Sequence, residues 1–140
     1  MGSGMGVRKG VDLLRKAVKD FELAKKYRDA KEYVTASMLY RNATEKVLKS
    51  LVMQKSKREP PKNASIEYLA SKANIPESIY GDLVEMPDER SELMEEESLL
   101  EMEFEEKKEE SVEAIEYHNA ISKHDVVKRL IDYAKASANV

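Results

Sequence analysis

An all-α fold is what this sequence predicts: an up-and-down bundle of four to five helices, the first two long and antiparallel. Three observations carry the expectation. Long stretches of the 140-residue chain repeat apolar residues at helical spacing. Five Gly and four Pro are too few for the many tight turns of a sandwich or barrel. The strongest breakers, Pro60-Pro61, Pro76 and Pro87, fall between the periodic segments.

The spacing predicts a first helix over Val7 to Ala30. Val7, Val11, Leu14, Val18 and Phe21 form its stripe, widened by Ala17, Ala24 and Tyr27, with Lys and Arg opposite. A short turn near Asp29-Ala30 leads to a second helix, from Lys31 or Glu32 to Lys57. Its apolar residues, from Tyr33 through Met38, Tyr40, Val47 and Leu51 to Met53, cover more than one face, so it is expected to be the central helix. A short helix over Ser65 to Ala73 follows. Pro76 suits the first turn of another, capped at Asn74 or Ile75, with Ile79, Leu83 and Val84 facing inward. From Asp88 to Glu113 the pattern weakens, and an acidic, mobile segment with some helix is expected. Ser122 is a good N-cap for a last helix over Lys123 to Ala138, with Asp125 completing an approximate capping box. Val127, Leu130, Ile131, Ala134 and Ala138 make its stripe.

Length suggests one domain, residues 7–140, large enough for a single core. Residues 1–6 are read as an expression remnant or a disordered tail. Zero Cys excludes a disulfide framework, a Cys-rich zinc site and a cysteine nucleophile. No segment is apolar enough to span a membrane, so a cytoplasmic protein is expected. The net charge of −3 conceals an asymmetry. Residues 1–62 hold 16 Lys+Arg against 7 Asp+Glu, residues 63–117 hold 4 against 18, and residues 118–140 hold 4 against 2. Blockwise charge of this kind bears on partners more than on fold. It fits neutralisation within the fold or across a dimer, contact of the basic half with nucleic acid, or capture of a basic protein by the acidic segment.

Five residues of the second helix are candidates for a partner- or nucleotide-binding surface or a dimer seam: Tyr33, Tyr40, Arg41, Glu45 and Lys49. Tyr33 and Tyr40 can stack a base, or they can be core rings with satisfied hydroxyls. Arg41 and Glu45, four apart, can pair on one surface or line a pocket. A di-iron carboxylate site needs Glu-x-x-His, and Ile115 and Ile121 stand where the Glu should be. No EF-hand loop, Gly-rich phosphate loop or Ser-His-Asp spacing occurs. Neither a metal nor a cofactor is expected.

The run Tyr33-Val34-Thr35-Ala36-Ser37-Met38-Leu39-Tyr40-Arg41-Asn42-Ala43-Thr44-Glu45-Lys46-Val47-Leu48-Lys49-Ser50-Leu51 resembles the second helix of the HEPN family. The preceding helix with Phe21, Ala24 and Tyr27 fits, and Tyr117 followed by Ile121-Ser122-Lys123-His124-Asp125 is similar to that family's final helix. The resemblance implies a helical bundle, a homodimer and an RNA or nucleotide context. It further suggests a nucleotidyltransferase-like partner in a prokaryotic toxin–antitoxin-like pair. Active members carry Arg followed, after four to six intervening residues, by His. No Arg here is followed by His at that separation. The expectation is a noncatalytic HEPN-like domain with no catalytic residues, His118 and His124 being surface or cap residues away from any arginine. The alternatives are a ribonuclease toxin with a displaced site, and a structural adaptor that holds a basic protein on its acidic segment.

Overall fold

The computed structural model describes the backbone of residues 2–85 and 105–138, and the side chains of residues 8–85 and 118–138. Among the described residues there are five helices and no strand: α1 (Gly2–Asp29), α2 (Tyr33–Ser56), α3 (Ile66–Ala73), α4 (Glu77–Val84) and α5 (Glu105–Ala138). At 1.5 Å per residue, α1, α2 and α5 reach roughly 42, 36 and 51 Å. They are the long members of the bundle. The helix α2 packs against α1, α3 and α5, and α5 also meets α1 and α4, so the second helix is central.

The α1–α2 hairpin turns within three residues. The Glu32 amide donates to the Tyr27 carbonyl and the Lys31 amide to that of Arg28, both at 2.9 Å. This pairing closes a helix C-terminus when the next residue is left-handed, and Lys31 supplies that conformation with φ 65°. Lys57 and Asn74 do the same after α2 and α3. The Ser65 side chain caps α3 by accepting from the Tyr68 amide at 3.0 Å. Pro76 is itself the cap residue of α4, one or two positions later than the Asn74 or Ile75 the sequence suggests.

The core stripe of α1 is Leu14, Ala17, Phe21 and Ala24, all buried. Val11, Val18 and Tyr27 flank it and are only partly covered. From α2 come Ala36, Tyr40, Ala43, Val47, Leu48 and Leu51, and from α5 Val127, Leu130, Ile131 and Ala134. The short helices contribute Leu69, Ala70, Ile79 and Leu83. Val84, expected inside, is 39% exposed, because α4 ends there and one face of a two-turn helix holds only Ile79 and Leu83. Met38 is the other departure, the most exposed large apolar side chain of α2.

Two differences concern the last helix. It begins before Ser122, which lies inside α5 and caps nothing. The reason is the phase of the buried positions. Ala120, Lys123, Val127, Leu130 and Ala134 recur at spacings of 3, 4, 3 and 4 and are all buried, so the stripe runs through Ser122 without a break. The acidic segment expected over 88–113 lies outside the described residues as far as 104, and its remainder belongs to α5. The helix α1 starts at Gly2, five residues before the expected Val7.

Polar contacts pin the elements together. Lys46 pairs with Asp20 across the hairpin, the Lys55 ammonium caps the Ala73 carbonyl at the end of α3, and Arg129 of α5 holds Asp82 of α4. The two helices approach closely at Gly10, where the Ser50 hydroxyl donates to the Gly10 carbonyl at 2.5 Å. A Cβ there would stand 3.0 Å from the Ser50 carbonyl oxygen and 2.8 Å from Gln54 Cγ.

Candidate functional site

Three rings from three helices meet where α1, α2 and α5 pack together. Phe21 lies one helical turn before Lys25 and two before Arg28 on α1, Tyr40 is the fully buried aromatic of α2, and His124 projects from α5 between them. The His124 ring stacks on Phe21, with centroids 4.9 Å apart and planes inclined by 24°. It meets Tyr40 edge-on, at 5.5 Å and 79°. Phe21 and Tyr40 close the triangle at 5.7 Å. Each pairing is a favourable offset or edge arrangement of quadrupolar rings.

A single hydrogen bond fixes the histidine. The Tyr40 hydroxyl and His124 Nδ1 are 2.8 Å apart. Burial pushes the Tyr40 phenol up to about 12, against the opposing pull of Arg28 and with help from Asp29 and Glu22. Burial also lowers the His124 imidazole below its ordinary value, and Arg28, Lys25 and Lys128 lower it further against Asp125. Both rings are therefore neutral at pH 7, and one proton is shared along one O–H···N or N–H···O contact. The Lys25 ammonium stands 6.0 Å from the Phe21 ring centroid, at the outer limit of a cation–π contact.

This cluster differs from what the sequence suggests. His124 is neither a cap nor a surface residue: it is partly buried among aromatic rings, while His118 is exposed on α5. Nor is it remote from every arginine, because Arg28 at the end of α1 acts on both His124 and Tyr40. A search for Arg and His close together in sequence misses such a pair, since the two come from helices at opposite ends of the chain. The linear signals were Phe21 in the stripe of the first helix and Tyr40, one of whose two readings was a core ring with a satisfied hydroxyl.

The five candidate residues of α2 occupy three settings. Tyr40 has no exposed surface, so its ring has no face open to a ligand. Tyr33, at the first turn of α2, is buried as well. Arg41 and Glu45 pair at 3.6 Å on a partly exposed face, each side chain about one-third open. Lys49 lies elsewhere, in a cleft of about 360 Å³ between the first half of α1 and the last half of α2. Lys9 and Lys16 line the cleft from α1, and Lys62 lines it from the loop after α2. Sequence reasoning named only Lys49 of these four. The seven-residue spacing of Lys9 and Lys16, which puts them on one face of α1, was a signal for two more.

Among the described residues no three His, Asp or Glu side chains converge as a metal site, and no helix is long and apolar enough to cross a membrane. A comparison with family models matches the HEPN domain to residues 11–137. No curated protein and no solved structure compared with the chain matches it. The family match takes in α1 from residue 11 onward, the hairpin, both short helices and α5 to its last turn, and the chain belongs to the HEPN domain family.

Proposed function

We propose that this HEPN domain is a noncatalytic binding module of the cytoplasm, which forms homodimers and binds a protein or a nucleotide or RNA partner. The protein partner suggested by the family resemblance is a minimal nucleotidyltransferase in a toxin–antitoxin-like pair. One observation carries the noncatalytic reading. His124, on which Arg28 acts, has Nδ1 engaged by Tyr40 and one ring face covered by Phe21. Those contacts hold the ring in place as packing. The absence of Arg and His at the spacing of active members agrees with this.

A second reading, RNA cleavage at a displaced site, is favoured by the proximity of Arg28 to His124. In that reading the ring nitrogen not bound to Tyr40 takes the proton of a ribose 2′-hydroxyl, and Arg28 offsets charge gathering on the phosphate. Incubating the purified chain with mixed RNA separates the two. Intact RNA supports the noncatalytic module. Cleavage lost in both His124→Ala and Arg28→Ala establishes the displaced site. Sedimentation at micromolar concentration tests the dimer, and a monomer throughout removes that part of the proposal.

A further inference from the structure

Among the described residues, the lysine cleft gathers more cations than carboxylates. Its four ammonium groups, Lys9, Lys16, Lys49 and Lys62, come from α1, α2 and the following loop. Two carboxylates share the cleft, Asp12 and Glu59, and each already has a cation. Glu59 is 3.4 Å from Lys9, and Asp12 is 3.5 Å from Arg15, a residue outside the cleft lining. Among the described residues no carboxylate pairs with Lys16, Lys49 or Lys62. Gathering three unpaired cations around one hollow raises the local positive potential and concentrates anions there.

The walls say what kind of anion. No arginine lines the cleft. A planar carboxylate is best recognised by the planar fork of Arg, whereas Lys is a compact point charge that suits a tetrahedral, multiply charged oxyanion. Leu13, Met53 and Pro60 supply apolar wall between the lysines, so bare phosphate would leave part of the hollow without a complement. The volume, about 360 Å³, is at the lower end of small-molecule sites.

We infer that the cleft between α1 and α2 is a binding site for a small organic phosphate, its phosphoryl group held by Lys16, Lys49 and Lys62 and its carbon portion against Leu13, Met53 and Pro60. The Lys9–Glu59 pair closes the loop side of this site. The inference gives the nucleotide part of the proposed function a site. It stands apart from the dimer and from RNA cleavage, and its failure leaves both untouched.

Calorimetric titration of the full chain at low salt tests it with three probes: inorganic phosphate, phenyl phosphate and a short single-stranded RNA. Phenyl phosphate is expected to bind about fivefold or more tighter than inorganic phosphate, the gain of an apolar contact worth about 1 kcal/mol. Lys16→Glu and Lys49→Glu should each weaken it about tenfold or more, while Lys72→Glu, an equal charge change on α3 outside the cleft, should change it less than about twofold. Thermal unfolding of each variant confirms that it folds. No phenyl phosphate binding at millimolar concentration would overturn the inference. So would an equal loss in Lys72→Glu, which would reduce the effect to net charge. RNA binding through the same lysines without phenyl phosphate binding would assign the cleft to a nucleic-acid backbone instead.

Discussion

The Phe21–Tyr40–His124 cluster and the lysine cleft share helices α1 and α2, yet they use their polar groups in opposite ways. In the cluster the phenol and the imidazole answer each other at 2.8 Å, and Phe21 covers one face of the histidine ring. In the cleft three ammonium groups face a hollow with no carboxylate of their own among the described residues. Chemically reactive residue types therefore do not identify the site by themselves. A histidine stacked and hydrogen-bonded within the fold takes part in its packing. A lysine, the commonest of surface residues, becomes informative when several converge without counter-charges.

The contrast can be tested by substitution, and the largest effect belongs to the cluster. Tyr40→Ala removes a fully buried ring and the hydrogen bond to His124. It should cost about 3–5 kcal/mol of stability, read by denaturant unfolding. If that loss falls below about 1 kcal/mol, the cluster is not a structural centre and the contrast fails. Tyr40→Phe keeps the ring and deletes the hydroxyl, leaving Nδ1 without its partner. About 1–2 kcal/mol is expected there, which isolates the hydrogen bond from the packing.

The pH dependence of unfolding sharpens the same point. His124 is held below its ordinary value in the folded chain, so at mildly acidic pH the unfolded chain binds the extra proton more readily than the folded one. Stability should be full above about pH 6.5 and fall as the pH drops from there through the lower, folded value. His124→Phe should flatten that limb of the profile. The phenol gives the opposite limb. Tyr40 is raised from 10 to about 12, so its contribution is intact below pH 10 and is lost as the pH climbs toward 12.

Surface changes should do least. Lys49→Glu is expected to alter stability by no more than about 0.5 kcal/mol, whatever it does to anion binding. Arg41→Ala breaks a partly exposed i,i+4 pair at 3.6 Å and should cost about 0.5 kcal/mol or less in thermal unfolding. A loss comparable with that of Tyr40→Phe would mean that the Arg41–Glu45 pair carries structure that its exposure does not suggest.

The parts of the fold that were legible in the sequence are those governed by local period. Leu14, Phe21 and Ala24 announce the inner face of α1, and the wide apolar coverage from Tyr33 to Met53 announces α2 as the central helix. Ser65 marks the start of α3 because an N-cap acts within one turn. Ser122 has the same local chemistry and caps nothing, because buried positions in phase on both sides of it override the cap. The cluster was illegible for a different reason. Tyr40 and His124 are 84 residues apart, and nothing in a linear motif encodes which face of α5 meets which face of α2. Arg28 and His124 escape a spacing rule on the same account. For the cleft, Lys49 was visible as a polar residue on a mostly apolar helix, but Lys62 joins it only through the path of the loop past Pro60-Pro61.

The close passage at Gly10 governs more than hairpin packing. The missing methyl group lets the backbones of α1 and α2 approach until the Ser50 hydroxyl reaches across, and these are the helices that carry Lys9, Lys16 and Lys49. Position 10 thus works as the spacer of the cation-lined hollow beside it. Alanine there would wedge the two rods apart by a few tenths of an ångström without touching a charge. Selectivity among anions of different girth could then be retuned from a residue that never meets them.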